Sequence, residues 1–167
     1  MTLAQSLFLL ALSAAVVAIV AFAAVVGVGA RRTAGGAYLT WGFLRRLALP
    51  GADRGELNRW AFYAHRISGA VIFVFLCLHI VDVSLYAFSH ALFDNVHELY
   101  GTWPMRIFEC GLLFAILFHT LNGLRLLAID IADLGRAAAG RALFGVTIVT
   151  LIAGVLGSVI ILYPELT

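Results

Sequence analysis

Four stretches of this 167-residue chain are apolar all the way round rather than along one stripe. Residues 7–30 and 142–164 contain no charged side chain at all. Each is long enough to cross a bilayer core, which takes about 20 helical residues. Two further stretches, about 61–88 and 106–129, are apolar in bulk but interrupted by a few polar residues. The pattern predicts an all-α transmembrane helical bundle of four spans. Composition agrees: 63% of residues are hydrophobic and 12% charged, with a mean hydropathy of +1.02, outside the range of soluble domains.

Charge placement orients the bundle. All eleven basic residues are arginine. Arg31, Arg32, Arg45, Arg46, Arg54 and Arg59 lie between the first two spans, with Arg66 just inside the second. Arg136 and Arg141 follow the third, whereas the stretch from His90 to Pro104 has none. The positive-inside rule therefore places 31–60 and 130–141 in the cytoplasm, and both termini and 90–104 on the outer side of a bacterial-type inner membrane. The first span reads as a retained helix rather than a secretory signal, because no basic residue precedes it and arginines follow it directly. Three parts result: an N-terminal transmembrane helix (1–30), a cytoplasmic connector (31–59) and a three-helix core (60–167). Gly35-Gly36 and Pro50-Gly51 break the connector, and Trp41 to Leu49 is predicted to form interfacial pieces, with Trp41 and Trp60 as anchors.

The polar interruptions carry the candidate chemistry. An ionisable side chain at membrane depth is costly and marks a functional site by default. His119 is the deepest in the third span; Gly123 follows one turn later on nearly the same face, and Arg125 and Asp130 are read as the water boundary. An imidazole with a missing side chain one turn away offers a flat iron porphyrin a ligand and clearance. The competing reading is a structural histidine hydrogen-bonded across helices. In the second span, Arg66 is either a snorkelling anchor or a site for an anionic or carbonyl-bearing ligand, with His65 and Tyr63 as hydrogen-bonding neighbours. His79, fourteen residues after His65, is predicted on the same face and deep in the span, again as ligand or structural residue. Asp82 and Glu109 read as groups near a second cofactor, proton carriers, or interfacial carboxylates pairing with Arg106. Cys77 and Cys110 lack CxxC spacing and read as small apolar fillers. Gly145, Gly154 and Gly157 are close-packing positions for a neighbouring helix, in this chain or another. His90 and His97 are expected in a solvated outer loop.

His65-Arg66-Ile67-Ser68 resembles the His-Arg-x-Ser/Thr signature of the cytochrome b subunit of succinate dehydrogenase. His119-x-x-x-Gly123-Leu124-Arg125 through Asp130 resembles that family's second signature. The match covers roughly 60–163, the family's three-helix core, and leaves the first helix outside it. The resemblance implies a membrane anchor of succinate:quinone oxidoreductase, with one or two haems b shared with a partner anchor chain, and quinone as substrate. It implies His119 as a haem ligand and Arg66 at the quinone site and haem propionates. Tyr63 and Ser68 stand as substitutes for the family's quinone-binding serine, whose position here is Phe62. His65, Arg125 and Gly123 fall in the haem's surroundings, and His79 is assigned as ligand of a second haem. The implied partners are a flavoprotein and an iron–sulfur protein on the cytoplasmic face, with no catalytic residue in this chain. A quinol:fumarate reductase anchor, a haem-less docking scaffold and an unrelated four-helix cytochrome b are the alternatives. No nucleotide fingerprint, nucleophile elbow or nucleic-acid patch is present.

Overall fold

A computed structural model of the chain describes residues 2–33, 54–132 and 135–163. Five α-helices account for nearly all of them: α1 (Leu3–Thr33), α2 (Arg54–Phe88), α3 (His90–His97), α4 (Trp103–Ala132) and α5 (Arg136–Leu162), with a 3-10 turn at Glu98–Gly101. Four are long and apolar enough to span a membrane, over Leu3–Gly29, Trp60–Phe88, Trp103–Ala132 and Ala138–Leu162. The chain is a multi-pass membrane protein, as the sequence predicts. The helices overrun the predicted spans, so that Arg31–Thr33 belongs to α1 and Arg54–Arg59 to α2. At 1.5 Å per residue, 27 to 35 residues exceed a bilayer core of about 30 Å. The interfacial pieces predicted for Trp41 to Leu49 lie outside the described residues.

The bundle is apolar outside and buries polar groups among apolar ones inside. Leu10, Val25, Phe73, Ile107, Phe144 and Ile160 are exposed, whereas Gln5, Ser68, Asp82, Asn122, Arg125 and Thr150 are buried. Lipid removes the hydrophobic drive between helices, leaving close packing and interhelical hydrogen bonds to hold them together. Close packing explains two glycines of α5. A Cβ on Gly154 would fall 2.3 Å from Phe114, and one on Gly157 would fall 2.5 Å from Leu113, both side chains of α4. Those glycines thus serve the chain's own α4–α5 contact, while Gly145 has nothing within 4 Å.

The stretch 90–104, predicted as loop, is mostly helical. Ser89 caps α3 by accepting from the Leu92 amide, and Val96 is buried beside Phe8 of α1 and Met105 of α4. His90 and His97 stay exposed, His97 stacking on Phe93 and Tyr100. At the start of α1, Thr2 and Gln5 form a reciprocal capping box. The Gln5 amide also donates to the Asn95 carbonyl (2.8 Å) and to Glu98 (3.2 Å), pinning α1 to this cap. Asp82, only 3% exposed, accepts a 2.8 Å hydrogen bond from the Tyr100 hydroxyl. Glu109, not Asp82, pairs with Arg106, at 3.4 Å. Burial and the Asp82 hydrogen bond, in that order, hold Tyr100 above its ordinary pKa.

Candidate functional site: an interlocked histidine pair

Near the arginine-rich end, α2 and α4 run antiparallel and each carries His-x-x-x-Gly: His65 and Gly69 on one, His119 and Gly123 on the other. Histidine and glycine four apart share a helix face, so each histidine can lie over the other helix's glycine. That is the arrangement observed. A Cβ on Gly69 would sit 2.8 Å from Cε1 of His119, and one on Gly123 would sit 3.6 Å from Cε1 of His65. The two imidazoles stack with centroids 3.9 Å apart and planes 4° from parallel.

Hydrogen bonds fix the protonation pattern of His119. Its Nδ1 lies 3.0 Å from the carbonyl oxygen of His65. A carbonyl only accepts, so Nδ1 is the protonated nitrogen in this contact, and in a neutral imidazole so bonded Nε2 keeps its lone pair. The buried Ser68 hydroxyl donates to the same carbonyl at 3.0 Å, and its oxygen is a second acceptor 3.2 Å from Nδ1 of His119. Among the described residues, Nε2 of His119 has no hydrogen-bonding partner, and Nδ1 of His65 is buried without one.

The other predicted residues separate into three places. Arg66 points outward, its guanidinium 4.7 Å above the Phe62 ring, with no hydrogen-bond or ion-pair partner among the described residues. Tyr63 is half-buried one turn before it, edge-on to Phe62. Ser68 is not with them, because its hydroxyl turns to His119. His79 is exposed farther along α2, stacked on Phe75 at 5.6 Å, and does not meet His119. The residue spacing puts its Cα about 15 Å along the axis from Gly69. His65 and His79 thus differ in surroundings despite their helical spacing: one packs against α4 and the other faces outward.

Arg125, expected at the water boundary, is 7% exposed. Its Nε donates to the Ala139 carbonyl at 3.1 Å, one terminal nitrogen to Asn122 at 3.2 Å, and the other to Asn58. One side chain of α4 therefore ties in the first turns of α2 and α5, within one turn of Asn122, which is 1% exposed. Asn58, Asn122 and Gly69 are site residues that sequence reasoning missed. Asn122 stood inside the second signature, where an asparagine in an apolar run was a signal, and Gly69 directly follows the first. Asn58 had none, since only the fold brings it to Arg125. A separate apolar cleft of about 370 Å³, lined by Trp60, Ala64, Phe118 and Leu143 among others, holds none of the predicted site residues.

Four apolar helices, with two histidines from antiparallel helices stacked between them near the arginine-rich end, define a multi-pass membrane subunit. The chain belongs to the succinate dehydrogenase/fumarate reductase transmembrane subunit family, matching it over residues 52–157, more than half its length. It is 42% identical over 77 residues to succinate dehydrogenase 2 membrane subunit SdhC of Mycobacterium tuberculosis, a match covering 46% of this chain and 57% of that protein. It is 33% identical over 73 residues to the succinate dehydrogenase hydrophobic membrane anchor subunit of Halobacterium salinarum, covering 43% and 56%. The chain thus matches a little over half the length of these relatives. The family match includes α2, α4 and most of α5, and leaves α1 outside.

Proposed function

We propose that this chain is a membrane-anchor subunit of succinate:quinone oxidoreductase that holds haem b through His119 and offers Arg66 to quinone. The observation that carries the reading is the 3.0 Å contact between Nδ1 of His119 and the His65 carbonyl, which leaves the Nε2 lone pair for a metal. Ligating imidazoles are oriented in this way, by a hydrogen bond on the nitrogen that does not bind the metal. Among the described residues no three His, Cys, Asp or Glu side chains converge on one point. A bare ion would want several such ligands, whereas a porphyrin brings four nitrogens and asks the protein only for axial ones.

His65 stacks flat on His119 and so cannot complete the same iron from the opposite side. A second ligand to that iron would come from a partner anchor chain. The orphaned Nδ1 of His65 is available to a haem carboxylate. Arg125 contributes differently from its sequence assignment: with each of its three nitrogens on a protein oxygen, it braces helices. Bound haem b would supply a one-electron carrier between a partner iron–sulfur cluster and quinone. Arg66, exposed and without a hydrogen-bond or ion-pair partner among the described residues, is suited to donate to a quinone carbonyl or a propionate, with Tyr63 beside it. His79, exposed and well removed from His119, stands as ligand of a second haem completed from outside this chain. Succinate chemistry falls to flavoprotein and iron–sulfur partners docked at the arginine-rich, cytoplasmic end of the inner-membrane bundle. Both relatives carry succinate dehydrogenase names, which favours succinate oxidation over fumarate reduction.

The test is haem content per complex, by pyridine haemochrome and redox-difference spectra, in wild type, His119→Ala and His79→Ala. His119→Ala should lose one haem, and an intact spectrum would overturn the assignment. A second haem lost in His79→Ala would establish the second site; an unchanged spectrum would return His79 to a structural role.

A further inference from the structure

The sequence assigns Ser68 to quinone, yet its hydroxyl lies on the far side of that task. Ser68 is 7% exposed and sits between two groups that matter to His119. Its O–H donates to the His65 carbonyl at 3.0 Å, and its oxygen stands 3.2 Å from Nδ1 of His119. The Nδ1–H bond is therefore shared between two acceptors supplied by one turn of α2. We propose that Ser68 is a positioning residue for His119, its hydroxyl and the His65 carbonyl together fixing the imidazole's rotation and the direction of Nε2. A single carbonyl acceptor leaves the ring free to tilt about one bond. Two acceptors on the same N–H define a plane, and the ring lies where a Cβ on Gly69 would fall 2.8 Å from Cε1. The inference rests on the proposed ligand role of His119 and makes Ser68 an orienting group instead of a quinone contact.

The test uses the full complex assembled in haem-deficient cells and titrated with haemin, with low-spin haem EPR and quinone kinetics on the loaded complex. Outer-shell partners of this kind change metal-site affinity about 10- to 100-fold, so Ser68→Ala should weaken haemin binding at least about tenfold. It should also shift the EPR signal, which reports imidazole orientation, and leave the quinone KM unchanged. Ser68→Thr should restore both, because threonine in a helix keeps a hydroxyl able to bond the carbonyl three residues back. If Ser68→Ala yields no complex, Ser68→Cys, similar in size with a weak donor, must show the affinity loss. Wild-type affinity and EPR in Ser68→Ala or Ser68→Cys, or a raised quinone KM with an unshifted haem signal, would overturn the proposal. His119→Ala separates the two levels: haem retained there sinks the ligand assignment, whereas haem lost there with Ser68→Ala unaffected sinks only the role of Ser68.

Discussion

His119 lies across Gly69 so closely that the smallest added side chain would intrude on its ring, at 2.8 Å from Cε1. The reciprocal contact, His65 over Gly123, leaves 3.6 Å, an ordinary van der Waals distance. The two glycines should therefore respond differently to the same substitution. Gly69→Ala must displace an imidazole that is tethered at Nδ1, and should lower haem occupancy and shift the haem spectrum. Gly123→Ala meets only an ordinary contact with His65 and so should cost less haem than Gly69→Ala. Haem quantitation and thermal melts of both variants check this, and a greater loss in Gly123→Ala would contradict the geometry.

Arg125 should matter more to assembly than to quinone chemistry. Removing it leaves the Asn122 and Asn58 side-chain oxygens without this donor, at about 1–3 kcal/mol for a buried acceptor, and cuts the tie to the Ala139 carbonyl, which keeps its helical bond in α5. Arg125→Lys should recover little, because one ammonium cannot span acceptors on three helices as a planar guanidinium does. Both variants should show a lower melting temperature and reduced yield of complex. The quinone KM of the surviving complex should stay at the wild-type value. A normal melting temperature with a raised KM would place Arg125 at the ligand instead.

How far the sequence reveals this arrangement depends on whether a signal is local. The four spans are legible because each is apolar on every face, and His119 because an ionisable group is conspicuous there. α3 is harder to see: eight residues of which four are polar look like loop, and only Ser89 with Leu92 and Val96 at helical spacing betrays it. Arg125 misleads because charges usually mark the membrane edge, and its three acceptors are gathered by tertiary structure alone. Gly154 and Gly157 announce close packing without naming the partner; Phe114 and Leu113 of the same chain take that place. Ser68 stands inside a recognisable motif and Gly69 directly follows it, but which group each serves emerges only when α4 is laid across α2.

The Asp82–Tyr100 bond makes a prediction about pH and about the cap. Tyr100→Phe would leave a carboxylate that is only 3% exposed without this donor, and should destabilise the cap by about 1–3 kcal/mol. Tyr100 has its folded pKa raised above the ordinary value of 10.0. The protonated form is thus the one the fold favours. Its contribution is fully present below pH 10 and declines only as pH rises from there towards the higher folded value. The melting-temperature difference between wild type and Tyr100→Phe should therefore be flat from pH 7 to about 9. A difference that shrinks within that window would mean the hydroxyl ionises normally and does not serve Asp82.

α1 should be separable from the histidine site. It packs along α2 and against the cap, where Gln5 reaches Asn95 and Glu98 and Phe8 joins Val96 and Met105. The histidine pair lies at the opposite end of the bundle, on α2 and α4 alone. Deleting residues 1–30 should therefore expose the cap while leaving haem content and the redox-difference spectrum as in wild type. Gln5→Ala, a milder change, removes both bonds from its amide to the cap and should loosen the same contact. Cysteines introduced at Ala91 or Asn95 would report this as faster labelling by a water-soluble maleimide from the α3 side. Loss of haem on the deletion would mean that α1 supports the histidine site through α2. Unchanged labelling in Gln5→Ala would mean that the apolar contact of Phe8 with Val96 and Met105 holds α1 without the amide.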